Sequence, residues 1–141
     1  MFRILAATLL LFVPTSLAGA WAATCAGADP AIASVAVKGM TTDGSVNVYT
    51  LGGTVVNLGR SAQAKNVLQF VDIYQHGAKL DAKGVRPLKP GQSYAFSYAF
   101  RRSNDAGQGA TQLTFQLDLR QPSPPGAQDC AAGNDRFRLR F

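Results

Sequence analysis

The sequence predicts an all-β domain, an antiparallel sandwich of seven short strands. Its 141 residues suit a single domain. Glutamate is absent, whereas there are 14 glycines and seven prolines, and this composition disfavours a bundle of helices. From about residue 30 onward, apolar and polar residues alternate in short segments separated by turn-forming residues, which is typical of half-buried strands. No segment of this part shows the apolar spacing of an amphipathic helix.

Seven segments carry this alternation and are predicted to be the strands. They are Ala31–Lys38, Ser45–Asn57, Lys65–Gln75, Ala78–Val85, Ser93–Phe100, Thr111–Arg120 and Arg136–Phe141. The paired glycines Gly52 and Gly53 predict a bulge or bend within the second strand. The alternation also predicts which side chains are buried: Leu113, Phe115, Leu117, Leu119, Phe137, Leu139 and Phe96. Arg136, Arg138 and Arg140 alternate with the apolar residues of the last strand and are expected to be exposed.

The first 22 residues have the order of features found in a secretory signal peptide. Arg3 gives a positive start, and Ile4–Val13 is an apolar run of ten residues. The small-residue segment that follows fits cleavage before Ala23, or before Trp21. A membrane anchor is the alternative interpretation, but ten residues span only about 15 Å as a helix, about half of a bilayer's hydrocarbon core. We therefore expect residues 1–22 to be removed and residues 23–141 to form the mature domain.

The mature chain is expected in the periplasm or the external medium. Lipid attachment at Cys25 is the other possibility, but Ala22 and Thr24 match the bacterial lipidation pattern poorly. No later apolar segment is long enough to span a bilayer. Without Arg3 the chain keeps 13 basic residues against eight aspartates, a net charge of +5. This charge is mild, and the expected compartment argues against nucleic acid as a partner.

Two cysteines in an exported chain predict a disulfide, and only one pairing exists, Cys25–Cys130. The bridge would close a loop of about 100 residues, which is worth on the order of 4–5 kcal/mol in the chain-entropy model. Two free thiols are the alternative. A redox site is disfavoured, because redox-active cysteines are normally two residues apart.

Several segments of the chain resemble the CARDB family, the cell-adhesion-related domain of bacteria. Val55–Gly59 resembles the family's V-x-N-x-G turn, and Leu88–Ser93 resembles its L-x-x-G-x-S element. The loop that ends at Gly109 and the strand through Asp118 resemble the next part of the family pattern, and Asn134 lies at the family's Asn-rich close. This resemblance covers about residues 46–141. It implies an immunoglobulin-like sandwich of seven strands, without catalytic machinery, that acts as a spacer or interaction module in exported bacterial proteins.

The implied topology also bears on the cysteines. In such a sandwich the first strand begins at the same pole as the loop before the last strand. Cys25 precedes the first predicted strand by a few residues, and Cys130 lies in that loop. The topology and the compartment therefore predict the same pair.

Catalytic and metal-binding residues are scarce. The single histidine, His76, precedes Gly77 at a predicted tight turn, without a recognisable nucleophile motif. One histidine and two cysteines exclude a metal site with several histidine ligands and a zinc site with four cysteine ligands. A calcium loop of the EF-hand type ends in Glu, so Asp105 and Asp135 are interpreted as turn formers. We expect no cofactor and no enzymatic activity.

Two sets of side chains are candidates for binding. Tyr94, Phe96, Tyr98 and Phe100 share one face of a strand and are interpreted as core, with a stacking platform as the alternative. Arg120, Arg136, Arg138 and Arg140 form a candidate cationic stripe, with protection of an edge strand against aggregation as the alternative. The function predicted is an exported, non-catalytic binding or adhesion module whose partner is an envelope protein or polymer. A structural subunit that assembles by edge-strand pairing is the second hypothesis.

Overall fold

The structure is a computed structural model that describes residues 25–105, 108–120 and 129–141, so the predicted signal peptide lies outside the described residues. The described residues form a β-sandwich of seven strands, as the sequence predicts. The strands are β1 (Pro30–Asp43), β2 (Val46–Asn57), β3 (Gln69–Gln75), β4 (Ala78–Val85), β5 (Ser93–Ser103), β6 (Gln112–Leu119) and β7 (Arg136–Arg140). A short 3-10 turn, Ala132–Asn134, precedes β7.

The strands form two antiparallel sheets that pack face to face. One sheet has the order β1-β2-β5 and the other has the order β4-β3-β6-β7. β4 therefore extends the sheet of β3 and is not a fourth strand of the β1-β2-β5 sheet. Each sheet ends in two edge strands, so the sandwich has four: β1, β5, β4 and β7.

The core confirms the predicted alternation of β5, β6 and β7. Leu113, Phe115, Leu117 and Phe96 are buried, and Leu119, Phe137 and Leu139 are half-buried. The three arginines of β7 are exposed, which fixes the register of this strand, because a slip by one residue would bury them. Leu51, Val55, Val71 and Ile73 complete the centre of the sandwich.

The predicted bulge at Gly52 and Gly53 is wrong. β2 pairs with β5 without a register shift, and the irregularities lie in β1, between Ile32 and Ser34 and between Val37 and Gly39. The glycine at position 53 has a packing reason instead. A Cβ there would overlap the ring of Phe96, so the small residue makes room for an aromatic side chain on the neighbouring strand.

The turn between β3 and β4 lies where the sequence predicts it, whereas β3 itself is shorter than predicted. His76 and Gly77 connect β3 to β4 with φ angles of 49° and 82°, and two positive φ angles are the mark of a type I′ hairpin. The predicted strand from Lys65 to Gln75 is shorter than expected, since β3 begins only at Gln69. Lys65 and Asn66 form a turn in front of it.

A buried asparagine joins three segments at one pole of the sandwich. Asn57 is fully buried, and its Oδ1 accepts hydrogen bonds from the N–H groups of Asp29 (2.9 Å) and Gly59 (3.0 Å). Its Nδ2 donates to the carbonyls of Ser61 (2.9 Å) and Leu88 (3.0 Å). The amide thereby uses both of its donor hydrogens and both of its acceptor positions. Asn57 thus holds the N-terminal segment, the turn after β2 and the loop before β5 together.

The glycine of the same turn is required by close approach. A Cβ on Gly59 would lie 2.6 Å from the backbone nitrogen of Asp29 and 2.8 Å from the carbonyl carbon of Ala28. These are backbone atoms that are held in place by further hydrogen bonds, such as Leu58 N–H to the Asp29 carbonyl (2.7 Å). The V-x-N-x-G segment is therefore a structural turn. Its asparagine supplies hydrogen bonds to the neighbouring segments, and its glycine allows the N-terminal segment to approach closely.

The predicted disulfide is present at this pole. Cys25 and Cys130 are bonded, with Cα atoms 6.1 Å apart across 105 residues of sequence. The Cys130 N–H also donates to the carbonyl of Ala28 (3.0 Å), so the segments on both sides of the bridge are paired directly.

The first testable prediction concerns Asn57. In Asn57→Ala, four backbone groups lose their partner, three of them on the buried residues Asp29, Gly59 and Leu88. Each buried group left unsatisfied costs about 1–3 kcal/mol. We expect the free energy of unfolding, measured with urea, to fall by at least about 3 kcal/mol. Asn104→Ala is the matched control, because that exposed amide makes one bond, to the Gly44 carbonyl. Equal losses in the two variants would contradict the role given to Asn57.

The second prediction concerns the bridge. Cys25→Ser should lower the free energy of unfolding by about 2–5 kcal/mol, because the unfolded chain regains the entropy that the bridge removes. Urea unfolding of the variant, and of the wild-type chain with and without a reductant, measures the effect. A reduced chain as stable as the oxidised one would show that the bridge contributes nothing.

Candidate functional site

Three arginines line up on the outer face of β7. Arg136, Arg138 and Arg140 are all exposed, and they lie opposite the uncharged residues Gln116, Thr114 and Gln112 of β6. Arg136 donates to Oε1 of Gln116 (2.9 Å). Within the described residues, none of the three guanidinium groups lies within 4.0 Å of a carboxylate. We call Arg136, Arg138 and Arg140 the arginine ladder.

The backbone of the ladder faces the free edge of its sheet. Thr111 and Phe141 exchange two hydrogen bonds (2.7 and 3.0 Å), and the Leu117 N–H donates to the carbonyl of Asp135 (2.8 Å). Hydrogen-bonded pairs alternate along an antiparallel ladder, so the odd-numbered residues of this segment are those that bond to β6. The N–H and C=O groups of the ladder arginines therefore point away from β6. One set of residues presents both charge and unpaired backbone groups.

Arg120 does not join the ladder. It stacks over the ring of Phe70, 3.9 Å from the ring centroid, and pairs with Asp72 and Asp118. Lys79 approaches Asp72 from the other side (2.6 Å). These contacts neutralise Arg120. It lies four residues beyond Gln116, the partner of Arg136, which is about 13 Å along a strand. The structure thus brings together three of the four predicted arginines.

The four edge strands differ in how they are protected against pairing. β1 carries two register shifts, and bulges of this kind interrupt an edge. β4 carries one shift and a salt bridge between Asp81 and Lys83 (2.7 Å) on the side that faces β5. β7 carries the arginine ladder. β5 has neither shifts in its pairing with β2 nor any charged residue from Ser93 to Phe100.

The aromatic residues of β5 belong to the core, as the preferred interpretation predicts. Phe96 and Phe100 are buried, and Tyr94 and Tyr98 pack partly buried against the same cluster. Arg86 lies over the ring of Tyr94 (6.0 Å) and Lys83 over that of Tyr98 (5.7 Å). Burial, with the nearby Asp81 carboxylate, raises the pKa of Tyr98. These rings face the other sheet and do not form an open stacking platform.

The histidine lies in a shallow cleft. His76 is exposed at the β3–β4 turn, and it lines a cleft of about 250 Å³ with Arg102 and Thr111. Arg102 donates to Oγ1 of Thr111 (2.6 Å) and so occupies that hydroxyl group. Within the described residues His76 makes no hydrogen bond to a hydroxyl or a carboxylate.

A group of carboxylates lies beside the disulfide. Asp29 is buried and accepts a hydrogen bond from Nδ2 of Asn134 (2.9 Å), and Asp135 lies close to both Asp29 and Asp129. Burial raises the pKa of Asp135 to about 8, and the charges of Asp129 and Asp29 add to the effect. Among the described residues, no three His, Cys, Asp or Glu side chains are placed to hold a metal ion. The raised pKa favours the protonated form of the Asp135 carboxyl at neutral pH.

The third prediction follows from the raised pKa of Asp135. Between about pH 4 and pH 8 this group is protonated in the folded chain and ionised in the unfolded chain. The folded state holds the proton more tightly, so its stability falls as the pH rises through that window. The fall is on the order of 1–2 kcal/mol, because partial exposure weakens the effect. Asp135→Asn should abolish this part of the pH dependence, as measured by urea unfolding at pH 5 and pH 8.

Asp43→Asn is the control for that experiment, because Asp43 is exposed and its carboxylate lies 3.5 Å from Arg101 at the surface. The control should keep the wild-type pH dependence. If Asp135→Asn and the wild-type chain lost stability in parallel between the two pH values, Asp135 would not be protonated in the fold.

The sequence reasoning missed two features of the edges. The alternation places Ser93, Ala95, Ser97 and Ala99 outside, and the lack of charge along this exposed face is a sign of an unprotected edge that is already present in the sequence. The partners of Arg120 were also missed, because Asp72 comes from a distant strand. The first feature could have been found in the sequence, whereas the second requires the order of strands in the sheet.

In comparisons with protein-family models, with curated proteins and with solved structures, no match to this chain was found. Nor do the described ranges contain a helix long and apolar enough to cross a membrane.

Proposed function

We propose that this protein is an exported, non-catalytic binding module of the bacterial envelope, and that it binds an acidic segment of a partner protein along the arginine ladder. The observation that carries this proposal is the combination on β7 of exposed, unpaired guanidinium groups with backbone groups that face the free edge. An extended segment added to this edge would meet hydrogen-bonding groups and charge together.

The spacing of the ladder favours an extended acidic segment. Alternate residues of a strand are about 6.7 Å apart, so the three guanidinium groups lie along a line of about 13 Å. A partner strand with Asp or Glu at alternate positions has the same repeat and would place one carboxylate beside each arginine. Arg pairs with carboxylates through two parallel hydrogen bonds, which makes such contacts selective.

Edge protection and binding are compatible roles for these residues. Two copies of β7 would bring arginines against arginines, and like charges on neighbouring strands are destabilising. The arginine ladder thus disfavours pairing with β7 of a second copy and with other basic strands. The same charges favour an acidic strand, so repulsion and attraction together give specificity.

Export is supported by the predicted signal peptide and by the disulfide, since such bridges persist in oxidising compartments. The CARDB-like assignment remains part of the proposal. It is supported by the structural role of Asn57 and Gly59 in the turn that resembles the family's motif. An adhesion or spacer role in the envelope fits a compact domain whose recognition surface is a sheet edge.

The fourth prediction uses a synthetic peptide with alternating Glu and Thr as the probe. The triple variant Arg136→Gln, Arg138→Gln, Arg140→Gln should bind it at least about tenfold more weakly than the wild-type chain, and wild-type binding should weaken as salt is added. Titration calorimetry or fluorescence anisotropy measures both. The matched control is Arg60→Gln, Lys65→Gln, Lys89→Gln, which removes the same charge from exposed sites elsewhere and should lose little.

Two outcomes would overturn the proposal. Equal losses in both triple variants would mean that only net charge matters. A peptide methylated on its backbone nitrogens cannot add to a sheet edge. If this peptide bound as tightly as the unmodified one, recognition would rest on charge alone, as for an anionic polymer, and the strand-addition account would fail.

A further inference from the structure

We infer that β5 is a self-pairing edge, through which two copies of this chain join antiparallel and extend the β1-β2-β5 sheet into a continuous sheet of six strands. This inference concerns the opposite side of the sandwich from β7 and does not depend on the arginine ladder. It starts from the contrast among the four edges, of which three carry bulges or charges and β5 carries neither between Ser93 and Phe100.

An unprotected edge of this length is unusual for a chain that stays alone. β5 has 11 residues, and from Ser93 to Phe100 its exposed side chains, Ser93, Ala95, Ser97 and Ala99, are small and uncharged, whereas the exposed Arg101 lies near its end. A regular, uncharged edge strand without proline is a template for pairing with another chain. Soluble proteins block such edges unless a partner covers them. This chain protects β1, β4 and β7 and leaves β5 regular, which indicates that β5 is covered in the working state.

The hydrogen bonds of β5 show which backbone groups are free. The Asn57 N–H donates to the carbonyl of Gln92 (3.1 Å), and the Asn104 N–H donates to the carbonyl of Ser45 (2.9 Å). With the register of β2 and β5, these two bonds place the even-numbered residues of β5 toward β2. The N–H and C=O groups of the odd-numbered residues from Ser93 to Arg101 therefore point to the free edge.

A two-fold axis beside Ser97 satisfies these groups. It places Ser97 opposite its own copy, Ala95 opposite Ala99, and Ser93 opposite Arg101. All five odd-numbered residues would then lie in hydrogen-bonded pairs, with about ten hydrogen bonds between the chains. The two Ser97 hydroxyl groups would meet on the outer face, where paired hydroxyl residues stabilise neighbouring strands.

The chemistry of the strand favours a second copy over a foreign partner. The pairing brings no like charges together, since each Arg101 meets a serine. On the inner face it sets Tyr98 beside Phe96 of the second copy and Tyr94 beside Phe100, and such aromatic pairs stabilise sheets. Lys83, which lies over Tyr98, is neutralised by Asp81. From Ser93 to Phe100 the edge carries no charge that would select a different chain.

Strand addition buries little area, so we expect a dimer that dissociates on dilution, with a Kd of about 1–100 µM. Its two arginine ladders would lie at opposite ends of the assembly. If the proposed function is correct, the dimer is bivalent, and avidity would strengthen binding to a surface that carries many acidic segments.

The fifth prediction is tested by analytical ultracentrifugation of the mature, oxidised chain across a range of concentrations. The wild-type chain should pass from monomer to dimer. Ser97→Lys should remain monomeric, because the two-fold axis sets each lysine beside its copy. Position 97 is exposed, so the variant should keep its fold, which circular dichroism checks. The matched control Thr41→Lys adds the same charge at an exposed site of β1 and should dimerise like the wild-type chain.

A charge-swap experiment tests the register. Ala95→Lys mixed with Ala99→Asp should form a heterodimer more strongly than either variant alone forms a dimer, because the pairing sets these positions opposite one another. A wild-type chain that stays monomeric at its highest soluble concentration would overturn the inference, and so would a dimer that survives Ser97→Lys. These results do not involve the acidic peptide, so they can fail independently of the proposed function.

Discussion

The buried amide of Asn57 is the interaction on which the rest of the structure depends. It joins the segment before β1, the turn after β2 and the loop between β4 and β5 through four hydrogen bonds. Buried polar groups are costly when unpaired and rigid when all are paired. The pole is therefore held in one arrangement, and the disulfide then joins the last loop to it. Because β1, β2 and β5 all begin or end here, the pole sets the position of every strand in their sheet.

A second buried amide pair supports the same region. Gln63 and Gln69 exchange hydrogen bonds of 2.9 Å between their side chains, and Oε1 of Gln63 also accepts from the Leu88 N–H (3.1 Å). Leu88, which is almost fully buried, is thus fixed from two sides, by Asn57 and by Gln63. This loop leads directly into β5. The strand that we propose as the self-pairing edge therefore starts from a loop that these hydrogen bonds anchor.

The two packed sheets have four edge strands, and these strands differ in how they are protected against pairing with another chain. Bulges interrupt β1, charges and a bulge protect β4, and arginines mark β7. The two edges also differ in which residues direct their backbone N–H and C=O groups away from the sheet. On β7 these are the arginines, whereas on β5 they are mainly small residues. We propose an acidic strand as the partner of β7 and a second copy as the partner of β5, and neither kind of strand addition needs a cavity.

The sequence alone predicts the strands well, because alternation with period two is a local signal that burial enforces. The strand of Leu113 and Phe115 is the clearest case. The disulfide is also predictable, since two cysteines allow one pairing. By contrast, the partners of Asn57 come from segments up to 31 residues away, and no local pattern reports them. The bulge predicted at Gly53 is wrong for the same reason, because the ring that requires a glycine there, Phe96, lies on another strand.

The stripe of arginines shows where sequence reasoning ends. Alternation correctly placed Arg136, Arg138 and Arg140 on one face, because their spacing lies within one strand. The prediction that Arg120 joins this stripe requires the register between two strands, which the sequence does not contain. In the structure, Asp72 from a third strand neutralises Arg120. Charge along one strand can thus be predicted from sequence, whereas charge across a sheet depends on strand order and on which acidic residues lie nearby.

Hydrogen exchange of individual backbone amides is the most direct test of two features: the hydrogen bonds of Asn57 at the pole, and the unpaired backbone groups at the edges β5 and β7. The amides of Asp29 and Gly59 lie outside any sheet ladder and bond only to the Asn57 side chain, so they should exchange as slowly as the core of β2. In dilute solution the amides of Arg138 and Ser97 should exchange quickly, while those of their neighbours Phe137 and Phe96 are protected. Rapid exchange at Asp29 and Gly59, or uniform protection along β5 and β7 in the dilute monomer, would contradict this account.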